Sequence, residues 1–236
     1  MLTLGSSSQA AANPYIEFPA GGLTSSSSLP NIASMTGARY TSGRQKFWQE
    51  LRAPNPEEVH SRTGAEYKNG LYTISFLSRE YRLNLESERI EGPEGDPLSS
   101  DPEFELLLLA YLLHALEIPL SGKWVSEKEL PGGSTFFQGP HRLPADIMER
   151  RLGKNLQAFR HVCTSLGGQK IPYGDAAFAF QPLPHIHLAC VLYREDDEFP
   201  ARVTFLFDST IEYQLPLDII LALVHSLVVL LENTGT

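Results

Sequence analysis

The stretch EFELLLLAYLLHALE, residues 103 to 117, constrains the fold of this chain more than any other. It is apolar nearly all round, longer than an ordinary strand and built from strong helix formers, which predicts a helix packed on two sides and ended by Pro119. A helix with two dry faces cannot lie on the outside of a domain. A second segment of the same kind closes the chain: LPLDIILALVHSLVVLLE, residues 215 to 232, has Pro216 at the helix start and Asp218 in the first turn, where the helix dipole favours it. Its apolar run from Leu217 to Leu231 is broken by Asp218 and His225. It falls short of the roughly 20 residues needed to cross a bilayer, so a membrane partner is not expected.

The rest of the pattern supplies what such helices pack against. Met148, Leu152, Leu156, Phe159, Cys163 and Leu166 recur at steps of three and four, which predicts one amphipathic helix over 144 to 166, opened by Pro144 and closed by Gly167 and Gly168. Asn55, Pro56 and Glu58 form a helix start for a short helix to about Arg62. LYTISFL (71 to 77) and EYRLNLE (80 to 86) alternate with period two around Ser78 and Arg79, the signature of a hairpin. DAAFAFQ (175 to 181), HIHLACVLY (185 to 193) and ARVTFLFD (201 to 208) read as three more strands at antiparallel spacing. Hairpins and helices in this order give an α+β fold: a single domain, its antiparallel sheet of hairpins covered by about three long helices. The domain is expected over 43 to 236, behind a Ser-, Gly- and Pro-rich segment, 1 to 42, that reads as a disordered tail.

Composition narrows the functional classes. Nineteen basic against 28 acidic residues leave a formal charge of -9, with no cluster of Lys and Arg, so nucleic acid is not an expected partner. Cys163 and Cys190 sit among apolar neighbours with no CxxC spacing, and read as buried thiols of a reducing compartment. The first residues lack the charged and apolar regions of a secretory signal, which makes the cytoplasm the expected location.

Mechanistically interpretable catalytic motifs are missing: there is no GxSxG, Walker A, GxGxxG, HExxH or EF-hand pattern. Four constellations remain. The loop from Gly122 to Gly139 carries Lys123, Trp124, Gly132, Gly133, Ser134, Phe136 and Phe137, where freed amides could bind an anion beside an aromatic wall, or an ordered turn could be pinned to the core. Asp175 and Asp208, at strand ends, could serve as acid and base or simply cap turns. His185 and His187, two apart on an expected strand, could start a metal site but lack a third donor nearby, so no metal is assigned. The run Glu195 to Glu198 reads as a solvated hairpin turn rather than a cation site.

Five segments together carry a resemblance: RTGAEY (62 to 67), SGKWVSEKELPGG (121 to 133), GDAAFAFQPLP (174 to 184), DDEFPA (196 to 201) and FDSTIEYQLP (207 to 216). In this order they resemble the DUF3786 family, uncharacterised proteins mostly of anaerobic bacteria and archaea, over about residues 46 to 232. Some members carry a Cys-rich iron-sulfur domain ahead of this module, and the resemblance therefore implies work beside a redox or one-carbon enzyme. This chain has a Ser-rich segment without cysteine in that place, so any such centre would belong to a partner. The expectation is a binding or accessory module for a small cofactor, another ligand or a partner enzyme. The alternatives are an enzyme using Asp or His at a sheet edge, and a structural interaction domain. The cofactor and the oligomeric state are not legible in the sequence.

Overall fold

The computed structural model describes residues 37–234. Helix α1 (Gly37–Glu50) and helix α2 (Pro56–Thr63) precede a four-stranded antiparallel meander, β1 (Glu66–Lys68), β2 (Leu71–Phe76), β3 (Arg79–Asn84) and β4 (Arg89–Glu91). Because α1 begins at Gly37, the expected domain boundary at 42 falls inside a helix. The remainder of the expected tail lies outside the described residues.

Next come α3 (Pro102–His114), β5 (Trp124–Ser126), α4 (Gly133–Phe136), α5 (Ala145–Leu152) and α6 (Leu156–Ser165). They are followed by β6 (Gln169–Lys170), β7 (Ala176–Leu183), β8 (Ile186–Tyr193), β9 (Arg202–Asp208), α7 (Ile211–Gln214) and α8 (Leu217–Asn233). The second sheet is antiparallel with order β5-β9-β8-β7-β6. Helices and antiparallel sheets share one core, which makes this an α+β fold.

Helix α3 is the two-sided helix of the sequence. Asp101 caps it by accepting from the amides of Glu103 and Phe104, and residues 106–112 are all buried. On one side the Phe104 ring meets Phe76 and Tyr81 of the meander at 5.0 and 4.7 Å between centroids. On another it packs along α8, while Glu105 accepts from Trp48 Nε1 and Arg44 Nε, both at 2.6 Å, which holds α1 in place. Arg62, in the segment RTGAEY, donates to the carbonyls of Leu112 and Ala115 at the C-terminal end of α3, where a cation offsets the helix dipole.

Three sequence readings need correction. The helix expected over 144 to 166 is broken into α5 and α6. Gly153 is still helical, with no room for a Cβ beside Ala201 just ahead of β9, and the break falls at Asn155 (φ -126°, ψ 84°), which restarts the helix by accepting from the Ala158 amide. Leu152 and Leu156 stay in phase across the break, which hides it in the periodicity. The hairpin turn is Leu77 and Ser78 rather than Ser78 and Arg79, both in the left-handed region at φ 47° and 64°, as a two-residue turn of matching twist requires. His185 lies outside the strand: β7 and β8 close through the Leu183–Ile186 pair, with Pro184 and His185 as the turn.

Candidate functional site

The alternation along β5, β9 and β8 sorts their side chains onto two faces. Val125, Phe207 and Leu188 point into the core, so Trp124, Asp208 and His187 share the opposite face. Trp124 stands opposite Asp208 in the register, and His187 is one step beyond the Leu188–Phe207 pair on the other side of Asp208. Members of three separate sequence constellations thus form one row across three strands.

Asp208 is the centre of this row and only 4% exposed. It accepts from the Ser121 amide (3.1 Å) and hydroxyl (3.0 Å), the Gly122 amide (2.7 Å), and the Thr210 amide (3.0 Å) and hydroxyl (2.7 Å). Burial alone would raise its proton affinity, but the donors on Thr210 and Ser121 outweigh burial and hold the carboxyl below its ordinary range. Oδ1 takes both Ser121 donors and both Thr210 donors, and Oδ2 takes the Gly122 amide, so the carboxylate ties the loop that begins at Ser121 to the end of β9. Asp208 is therefore a brace, by the same chemistry as the Asx turn it closes on Thr210.

A second brace lies beside it. Gln214, 2% exposed, accepts from the Leu116 amide at 2.8 Å and donates to the Leu116 carbonyl at 2.9 Å. Between them Asp208 and Gln214 fix both ends of the α3–β5 connector, and the Ser209 amide donates to the Lys123 carbonyl just after it. The braced connector displays Leu116 (47% exposed) and Leu120 (37%), with Tyr213 (59%) standing next to Gln214 on α7. Sequence reading missed Gln214, Ser121 and these three apolar residues; the one available signal was the Asp-Ser-Thr turn at 208 to 210.

His187 is half-buried, and its Nε2 is enclosed without a hydrogen-bond partner among the described residues. Burial pushes its proton affinity down, against the pull of Asp208, which favours the neutral ring. His185 instead gives its backbone amide to the Tyr111 hydroxyl at 3.4 Å. The described residues contain no cluster of three or more His, Cys, Asp or Glu arranged to hold a metal ion.

Asp175 does not join Asp208. It lies at the far end of the sheet beside the Ala176–Leu192 pair, four residues along β8 from Leu188, or about 13 Å of strand, and its carboxylate accepts from the Arg194 amide. The acidic turn accepts from its own backbone, Asp196 taking the Glu198 and Phe199 amides.

The loop from 122 to 139 is divided rather than gathered. Trp124 belongs to the row on the sheet, whereas Phe137 is buried edge-on to Phe136, whose other face stacks on His141. Gly132 takes a left-handed conformation, and the Gly133 amide is already given to the Leu130 carbonyl, so it is not free for an anion. Gly133 is pressed against the Glu127 carbonyl, while Lys123 and Ser134 are exposed. Burial raises the proton affinity of both Cys163 and Cys190 thiols, which keeps them unreactive at neutral pH.

These features define an α+β domain with a central two-sided helix and one braced, apolar-tipped end on its larger sheet. The model of a family described as a domain of unknown function, DUF3786, matches residues 55–229, and the chain belongs to that family. No curated protein and no solved structure shows significant similarity to it. Among the described residues no helix is long and apolar enough to cross a membrane.

Proposed function

We propose that this protein is a binding module whose recognition surface for a partner protein is the braced end of the five-stranded sheet. The observation that carries the reading is the paired bracing: two buried polar side chains, Asp208 and Gln214, use their hydrogen bonds to hold the backbone of the α3–β5 connector. A connector held this way exposes Leu116 and Leu120 without ordering cost on binding. Tyr213 beside them is one of the residue types enriched among interface anchors. Residues 121 to 124 and 207 to 214, which belong to two of the family-like segments, meet here.

The test uses the tagged full chain isolated from its own cells, beside a Leu116→Ser, Tyr213→Ser variant of equal melting temperature. A protein retained by the wild type and lost by the variant is the expected result. Retention of the same protein by the variant, or no retained protein in either, overturns the reading.

A further inference from the structure

A separate cleft of about 200 Å³ opens along the edge of β9, on segments that the partner surface does not use. Its wall is apolar where Phe137, Leu143 and Ala145 reach it, and its rim carries Glu127, Glu149, Arg142 and Arg202. Glu149 is already engaged, accepting from the Val203 amide at 2.9 Å and so tying α5 to the edge strand. The other three charged side chains have no ion pair and no hydrogen bond among the described residues.

That combination is informative. Opposite charges sharing a small cleft lower their energy by closing on one another, and surface side chains are free to do so unless their backbones keep them apart. Here Glu127 follows β5, Arg142 follows the 3₁₀ turn Gly139–His141, and Arg202 opens β9, three elements each fixed in the core by neighbours such as Val125, Phe137 and Val203. The charges are thus held on the same cleft without neutralising one another.

We infer that this cleft binds a small zwitterion, an α-amino acid with a compact apolar side chain. Its carboxylate would lie between the Arg142 and Arg202 guanidiniums, which accommodate two carboxylate oxygens at once. Its ammonium would meet Glu127, and its side chain the wall of Phe137, Leu143 and Ala145. The volume fits this size class, being below the roughly 300 to 1,000 Å³ of sites for drug-sized ligands.

The experiment measures calorimetric binding and melting shift of the full chain with the common amino acids, L-valine first. Two analogues of L-valine, isovalerate and isobutylamine, each lack one of its charges. L-valine or another small apolar amino acid is expected to bind and to raise the melting temperature. Each singly charged analogue should bind at least about tenfold more weakly, and so should the amino acid to Arg202→Gln and to Glu127→Gln, both at unchanged melting temperature. Isovalerate binding as tightly as L-valine, or Glu127→Gln binding as the wild type does, would reduce the cleft to an anion site and overturn the inference. No response to any amino acid at millimolar concentration overturns it as well. The partner surface is unaffected by either result, since neither variant touches Leu116, Tyr213 or their braces.

Discussion

Ser121 gives both its amide and its hydroxyl to the same oxygen of Asp208, across 87 residues of sequence. Two stretches that look unrelated in the chain, SGKW and FDST, are in this way one local structure. The bond network is short-range in space and closes the connector onto the last residue of β9, so a single carboxylate sets one end of the proposed recognition surface, as Gln214 sets the other.

Removing that carboxylate should cost more than removing a surface charge. Asp208→Ala leaves the Ser121, Gly122 and Thr210 donors without their acceptor, and is expected to destabilise the domain by about 3 kcal/mol in urea melts. Asp208→Asn keeps the shape but turns an amide group toward one of these donors, so it should fall between Ala and wild type. The pH dependence has a defined sign. The folded carboxyl is held below its ordinary value of 3.8, so its contribution is complete above that pH and is lost as pH falls through the folded value. The gap between wild type and Asp208→Asn should therefore narrow in acid. A gap independent of pH would show that the charge is not what the loop holds.

Two glycines of one loop should behave differently. At Gly133 any side chain meets the Glu127 carbonyl backbone, and Gly133→Val is expected to lose about 3 kcal/mol or fail to fold. Gly122 has a left-handed φ of 71° but nothing within 4 Å of a Cβ, so Gly122→Ala should cost only about 1 kcal/mol of backbone strain. Equal losses at the two positions would contradict the close approach at Gly133.

Elements whose signal is local were legible in the sequence. The α2 cap at Asn55, the two-sided α3 and the alternation of β2 and β3 follow from spacing and capping chemistry alone. The break after Gly153 was not, because the chain leaves helical geometry at Asn155 while the four-residue spacing of Leu152 and Leu156 is kept across it. The same holds for the site. Asp208, Trp124 and His187 were each singled out, yet their meeting depends on strand order β5-β9-β8, which no local pattern encodes. Gln214 was invisible for another reason: a buried amide in a short helix has no sequence signature until its partner, Leu116, is placed beside it.

The thiols offer a direct check of the core. Cys163 and Cys190 are both enclosed, and burial raises the proton affinity of each, so the native protein should not react with a disulfide reagent such as dithionitrobenzoate at pH 8. Both thiols should titrate once the chain is unfolded in guanidinium. Fast reaction of either in the native state would mean that α6 opens from β7 far more often than the packing allows.

His187 is the sharpest single-atom test. Its Nε2 is buried without a partner, which is the situation in which an apolar ring of similar shape is tolerated or preferred. His187→Phe should thus be as stable as wild type at pH 8, or more stable by up to about 1 kcal/mol. Burial also sets the imidazole below its ordinary value of 6.5, although the nearby Asp208 charge opposes this. Between the lowered folded value and 6.5 the unfolded chain binds a proton that the folded one resists, so wild-type stability falls as pH drops through that window. His187→Phe has no such proton to bind, and its advantage should grow on acidification over the same range. Nuclear magnetic resonance titration of the His187 ring supplies the independent reading. A midpoint at or above 6.5, together with a loss of more than about 1 kcal/mol in His187→Phe, would mean that Nε2 has a bonding partner in solution and that the ring nitrogen is in use rather than idle.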